Sequence, residues 1–69
     1  MSAYVIKLKD SIHEIAEELG AKVSKIDLRS RVIIVEKGGD EYRATIWRGA
    51  SRDAIKGRLD FAIKFKSKV

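Results

Sequence analysis

A chain of 69 residues has room for one small domain, whose single core leaves roughly 3–5 kcal/mol of net stability. Cysteine is absent, which excludes disulfide and thiolate–metal staples. No apolar run approaches the roughly 18–20 residues of a membrane span, and MSAYVIKLKDS lacks the apolar core of a secretory signal. The composition therefore predicts one soluble, cytoplasmic domain over residues 1–69, with oligomerisation as the remaining means of support. Charged residues make up 36% of the chain while Asn, Gln and Pro are missing, a profile that leans towards a thermophile.

Charge is segregated along the chain. Tyr42 to Val69 holds eight basic residues against Asp53 and Asp60, whereas Met1 to Glu41 holds seven basic and eight acidic ones. An electropositive region of this kind is the footprint of a polyanion partner, most often nucleic acid.

In chain order, Tyr4, Ile6 and Leu8 alternate with Val5, Lys7 and Lys9, which predicts a first strand. Ser11-Ile12-His13-Glu14 has the form of a capping box. Ile12, Ile15, Ala16 and Leu19 follow at helical spacing up to Gly20, which predicts a helix over about 11–19. From Ala21 to Arg29, the residues Val23, Ile26 and Leu28 fit a strand, a last helical turn or a loop equally. Val32 to Val35 are four β-formers in a row, and Tyr42, Ala44 and Ile46 alternate with Arg43, Thr45 and Trp47. With Gly38-Gly39-Asp40 between them, these two segments predict a β-hairpin.

Ser51 caps a second predicted helix with the apolar stripe Ala54, Ile55, Leu59, Ala62 and Ile63. Leu59, Phe61, Ile63 and Phe65 also alternate with Asp60, Ala62, Lys64 and Lys66, so a strand over 59–66 competes. The helix is preferred because its stripe runs unbroken from Ala54. The resulting fold class is α+β, in the order β-α-(β)-β-β-α, with an antiparallel sheet and two helices packed on one face.

The hairpin carries apolar residues on both faces. Either the sheet is sandwiched within the domain, or a partner docks on it. The simplest partner is a second copy of the chain, with Ile33, Val35 and Trp47 as contact residues.

Catalytic chemistry finds little support. His13 is the lone histidine and faces Glu17 one turn on; the serines have no evident base; Gly38-Gly39-Asp40 is a turn without the Gly-Lys-Ser/Thr of a phosphate loop. Glu14, Glu17 and Glu18 suit a helix start without any metal. No enzyme, cofactor or metal is expected. Among the cations, Lys56 and Lys64 flank Asp60 one turn either side, and Lys64, Lys66 and Lys68 complement a helix C-terminus. Arg58 falls within or beside the apolar stripe of its helix, where its stem must snorkel or its charge must be paired. Arg29, Arg31, Arg43 and Arg48 belong to or adjoin strands and are expected to form a row beside Trp47, suited to phosphate contact and base stacking. The candidate nucleic-acid contacts are Arg43, Trp47, Arg48, Arg52, Lys56 and Arg58.

Ile26-Asp27-Leu28-Arg29-Ser30-Arg31-Val32, the hairpin, and Ala54-Ile55-Lys56-Gly57-Arg58-Leu59-Asp60-Phe61-Ala62-Ile63 together resemble the small dimerising subunit of the KEOPS complex, of the cancer/testis-antigen-like family. That resemblance implies a non-catalytic dimerisation module in the formation of threonylcarbamoyladenosine in tRNA, making protein and RNA contacts. Read without the first strand, the order is α-β-β-β-α, and Gly49-Ala50-Ser51-Arg52 is similar to the start of the second helix in double-stranded RNA-binding domains. This second resemblance implies a stand-alone binder whose helix start offers amides and cations to phosphates. Asp53 stands where that family has another lysine, which places it second. A chromatin-like DNA-binding protein fits charge and size without a motif.

Overall fold

A computed structural model describes residues 3–69 and opens on a helix, α1, spanning Ala3–Glu18. The strand expected over Tyr4 to Leu8 is instead the first half of this helix. Leu8 packs against the core, and Ile12, Ile15, Ala16 and Leu19 follow it at three- and four-residue intervals. This long helical period overrides a short alternation. Ser11 is consequently a half-buried residue within the helix and not its cap. The helix stops where expected: Gly20 takes φ +73°, and the amides of Gly20 and Ala21 donate to Glu17 and Ala16 carbonyls at 3.0 and 2.8 Å. Paired bonds of this kind around a left-handed glycine satisfy carbonyls that the last turn leaves open.

The segment left undecided becomes β1, Lys22–Asp27, which pairs antiparallel with β2, Val32–Lys37; β2 pairs in turn with β3, Asp40–Thr45. Gly38 and Gly39 both adopt positive φ, 63° and 85°, as a two-residue hairpin turn matched to strand twist requires. The register fixes which side chains share a face. Ile26, Ile33 and Ala44 form one inward row, and Val23, Val35 and Tyr42 the next. The outward rows are Asp27–Val32–Thr45, Lys25–Ile34–Arg43 and Lys22–Glu36–Glu41. A bulge at Ser24 keeps both sets aligned across β1.

Ser51 caps the final helix, α2, Arg52–Lys64, its hydroxyl accepting from the Ala54 amide at 3.2 Å. Ile55, Leu59 and Ala62 of α2 join Ile12, Ile15 and Ala16 of α1 and the inward rows of the sheet in one core. Both helices lie on this single face, giving an α+β domain of order α-β-β-β-α. The competing strand over 59–66 does not form, because Leu59 and Ala62 are buried at helical spacing. Strand-like pairing begins only past Lys66, at φ +52°. There the Arg43 amide donates to Ser67 oxygen at 2.8 Å and the Val69 amide to Glu41 oxygen at 3.1 Å, so the tail covers the edge of β3. Among the described residues, no helix is long and apolar enough to cross a membrane.

The expected partner surface requires correction. Ile33 and Val35 are 1% and 0% exposed in the core beneath the helices, so neither is available to a partner. Alternation puts Val32 and Ile34 on the open face instead, both half-buried among Lys25, Arg43 and Thr45.

Candidate nucleic-acid interface

Two connections meet at the end of the sheet opposite the glycine hairpin. The first is the turn from β1 to β2, where the Asp27 carboxylate accepts from the Arg29 amide at 3.0 Å and the Ser30 amide at 3.3 Å. Those bonds, that to Ser30 foremost, hold the Asp27 carboxyl below its ordinary pKa. Arg31 closes the turn with φ +61°, uncommon for a residue with a side chain. Its carbonyl accepts from the Ile46 amide at 2.9 Å. That bond extends the β2–β3 ladder past Thr45 and sets the second connection, from Ile46 to Ser51, beside the first.

In this second connection, Ile46 turns into the core while Trp47 is 55% exposed. The chain then reverses through Gly49, φ +79°, with the Ala50 amide donating to Trp47 oxygen at 3.2 Å. Arg58 reaches across from α2, its Nε donating to the Thr45 carbonyl at 3.0 Å. The cation that sequence placed beside an apolar stripe is thus held by a carbonyl that a strand end leaves open. The two connections therefore place Arg29, Arg31, Trp47 and Arg48 at one end of the sheet, and the side-chain bond to Thr45 brings Arg58 to the same end. Arg43 stands one row inward on the open face, across Ile34 from Lys25.

Arg52 and Lys56 are not part of this group. Arg52 bridges Glu14 at 3.3 Å and also pairs with Glu18, while Lys56 pairs with Glu18 at 3.1 Å, so both stand opposite carboxylates of α1 in solvent-exposed pairs. The hydrogen bond from Lys56, with the charge of Arg52 beside it, holds the Glu18 carboxyl below its usual range. Lys64 pairs with Asp60 at 3.3 Å and Lys68 with Asp40 at 3.5 Å. Among the described residues, no ion pair engages Arg29, Arg31, Arg43, Arg48 or Arg58. The local excess of positive charge therefore lies at the sheet end and on its open face, not at the start of α2.

Of the six expected contacts, Trp47, Arg48 and Arg58 come together, Arg43 lies adjacent, and Arg52 and Lys56 lie apart. Lys25 was missed, since its position opposite Arg43 depends on a register displaced by a bulge. Phe61 and Phe65 are not among the six expected contacts. Their four-residue spacing, three residues on from Arg58, was the signal that they share its helix flank. His13 is exposed on α1. Among the described residues no pocket is present, and no group of three or more acidic or histidine side chains could hold a metal ion.

No protein-family model, no curated protein and no solved structure matches the chain.

Proposed function

We propose that this chain is a non-catalytic nucleic-acid-binding module which holds phosphates at the arginine-rich end of its sheet. The observation that carries the reading is a pair of bonds to backbone oxygens, from the Ile46 amide to Arg31 and from the Arg58 side-chain Nε to Thr45. Together they bring cations from two connections and a helix to one place. Arginine suits that role, since its planar fork meets phosphate oxygens in two parallel bonds. Trp47 supplies an exposed ring beside them.

The order α-β-β-β-α is the one that the resemblance to double-stranded RNA-binding domains implies. The expected use of the α2 start draws no support, because Glu14 and Glu18 neutralise Arg52 and Lys56. The reading as a small subunit of a tRNA-modification complex draws less support still: it needs a first strand, and Ile33 and Val35 turned towards a partner.

Titration of labelled RNA at rising salt tests the proposal. Engagement of four or five phosphates gives a slope of log affinity against log salt of about −3 to −4.5. Arg48→Ala with Arg31→Ala weakens binding and flattens that slope, while Arg52→Ala with Lys56→Ala leaves both unchanged. Absence of binding at about 50 mM salt, or loss confined to the Arg52 and Lys56 variant, overturns it.

A further inference from the structure

Phe61 and Phe65 stack on one another with ring centroids 4.3 Å apart and planes at 29°, yet they remain 52% and 68% exposed. Isolated exposed apolar residues need no explanation. These two are not isolated. Arg58, Phe61 and Phe65 follow at three- and four-residue steps on one flank of α2, a span of about 10 Å. That flank runs beside the edge of β3 and against its direction, for Arg58 is bonded to Thr45 while Ser67, beyond the helix end, is bonded to Arg43. Trp47, 55% exposed, lies two residues past Thr45, the residue to which Arg58 is bonded.

We infer that this flank is a stacking platform for single-stranded nucleic acid, in which Trp47, Phe61 and Phe65 take the faces of unpaired bases while Arg48, Arg58 and Lys66 meet the backbone. The inference rests on the nucleic-acid reading above and specifies the form of the ligand. Rings at a protein surface gain only from bases whose faces are free, and a duplex keeps its faces inside its own stack. Charge selects the same occupant. Asp60 is paired with Lys64, on the side of the helix away from Arg58. Glu14 and Glu18 lie against α1's partners Arg52 and Lys56. A second copy seated here would instead bring Arg58 and Lys66 of both chains together, each chain carrying a net charge of +5. Addition of a peptide strand is also disfavoured, since the tail already takes the Arg43 amide and the Glu41 carbonyl.

Trp47 is the single tryptophan, so its emission reports on the platform directly. The probes are oligouridine of about 12 nucleotides and an RNA duplex of about 20 base pairs, each titrated at about 50 mM salt. The single strand is expected to quench Trp47 and to bind more tightly than the duplex. Phe61→Ala and Phe65→Ala are each expected to weaken its binding about 5- to 150-fold, with duplex affinity unchanged. Circular dichroism checks that these surface variants remain folded. Wild-type affinity in both variants, or tighter duplex binding with Trp47 emission unmoved, overturns the platform and leaves the phosphate site standing. Failure of both probes to bind overturns both readings. A dimer in sedimentation that Phe65→Ala abolishes assigns the flank to a second copy and overturns the platform alone.

Discussion

Arg58 and Thr45 are joined by a single hydrogen bond, Nε to carbonyl oxygen at 3.0 Å, that links the middle of α2 to the last residue of β3. One guanidinium edge is occupied by the fold, while the rest of the side chain remains exposed. Arg58→Ala should therefore do two separable things. It should lower the thermal midpoint by a few degrees, since a net hydrogen bond contributes about 0.5–1.5 kcal/mol and a domain of this size shifts by about 4–8 °C per kcal/mol. It should also reduce the salt slope of RNA binding by about 0.7–0.9, the loss of one phosphate contact. Thermal melts and salt titrations of one variant check both, and an unchanged slope would place Arg58 in the fold alone.

The two sides of β2 should respond oppositely to charge. Ile33→Lys places an ammonium at a position 1% exposed. Desolvating it without a partner costs several kcal/mol, comparable with the whole stability of so small a domain. Ile34→Lys, one residue on, projects from the open face between Lys25 and Arg43 and should remain folded. Far-ultraviolet circular dichroism and urea titration should show a cooperative transition for the second variant and none for the first.

Acid should weaken the domain through two identified carboxylates. Glu18, bonded by Lys56 and Arg52, and Asp27, bonded by the turn amides of Ser30 and Arg29, both ionise below their ordinary range in the folded chain. In the unfolded chain they take up protons at higher pH, so their contribution is complete above the unfolded value and lost as pH falls through the folded one. Thermal midpoints recorded from pH 7 downward should decline from about pH 4.5. The double variant Glu18→Gln with Asp27→Asn should decline less; parallel profiles would remove these groups as the cause.

Lys66, at φ +52°, does at the end of α2 what Gly20, at φ +73°, does at the end of α1. A side chain in the left-handed region costs about 1–2 kcal/mol. Lys66→Gly should therefore raise stability, by less than this because glycine loosens the unfolded chain. Gly39→Ala, at φ +85° in the hairpin turn, should lower it by about 1–2 kcal/mol. Chemical denaturation of both variants should move their midpoints in opposite directions.

Where a local chemical requirement decides structure, the sequence is legible. Gly38-Gly39 dictates a tight hairpin because both positions need positive φ, and Ser51 begins a helix because its hydroxyl can take an orphan amide. Tyr4 to Leu8 satisfies a strand pattern over so few residues that its true period shows only once Leu8 is seen packing with Ile12 and Ile15. The segment Lys22–Asp27 becomes a strand because β2 offers it an edge and the core accepts Val23 and Ile26, which no local pattern records.

By itself, then, the sequence determined the α+β class, the hairpin, the capped second helix and the excess of positive charge towards the C-terminal part of the chain. Only the tertiary structure decided which of those charges are left to act. Arg52 and Lys56 meet carboxylates thirty-four or more positions away in the chain, on another helix. Arg31, Arg48 and Arg58 are gathered by strand register and by a carbonyl at a strand end. Charge is a property of residues, whereas its neutralisation depends on distance in space, and that distance is set by how the helices settle on the sheet.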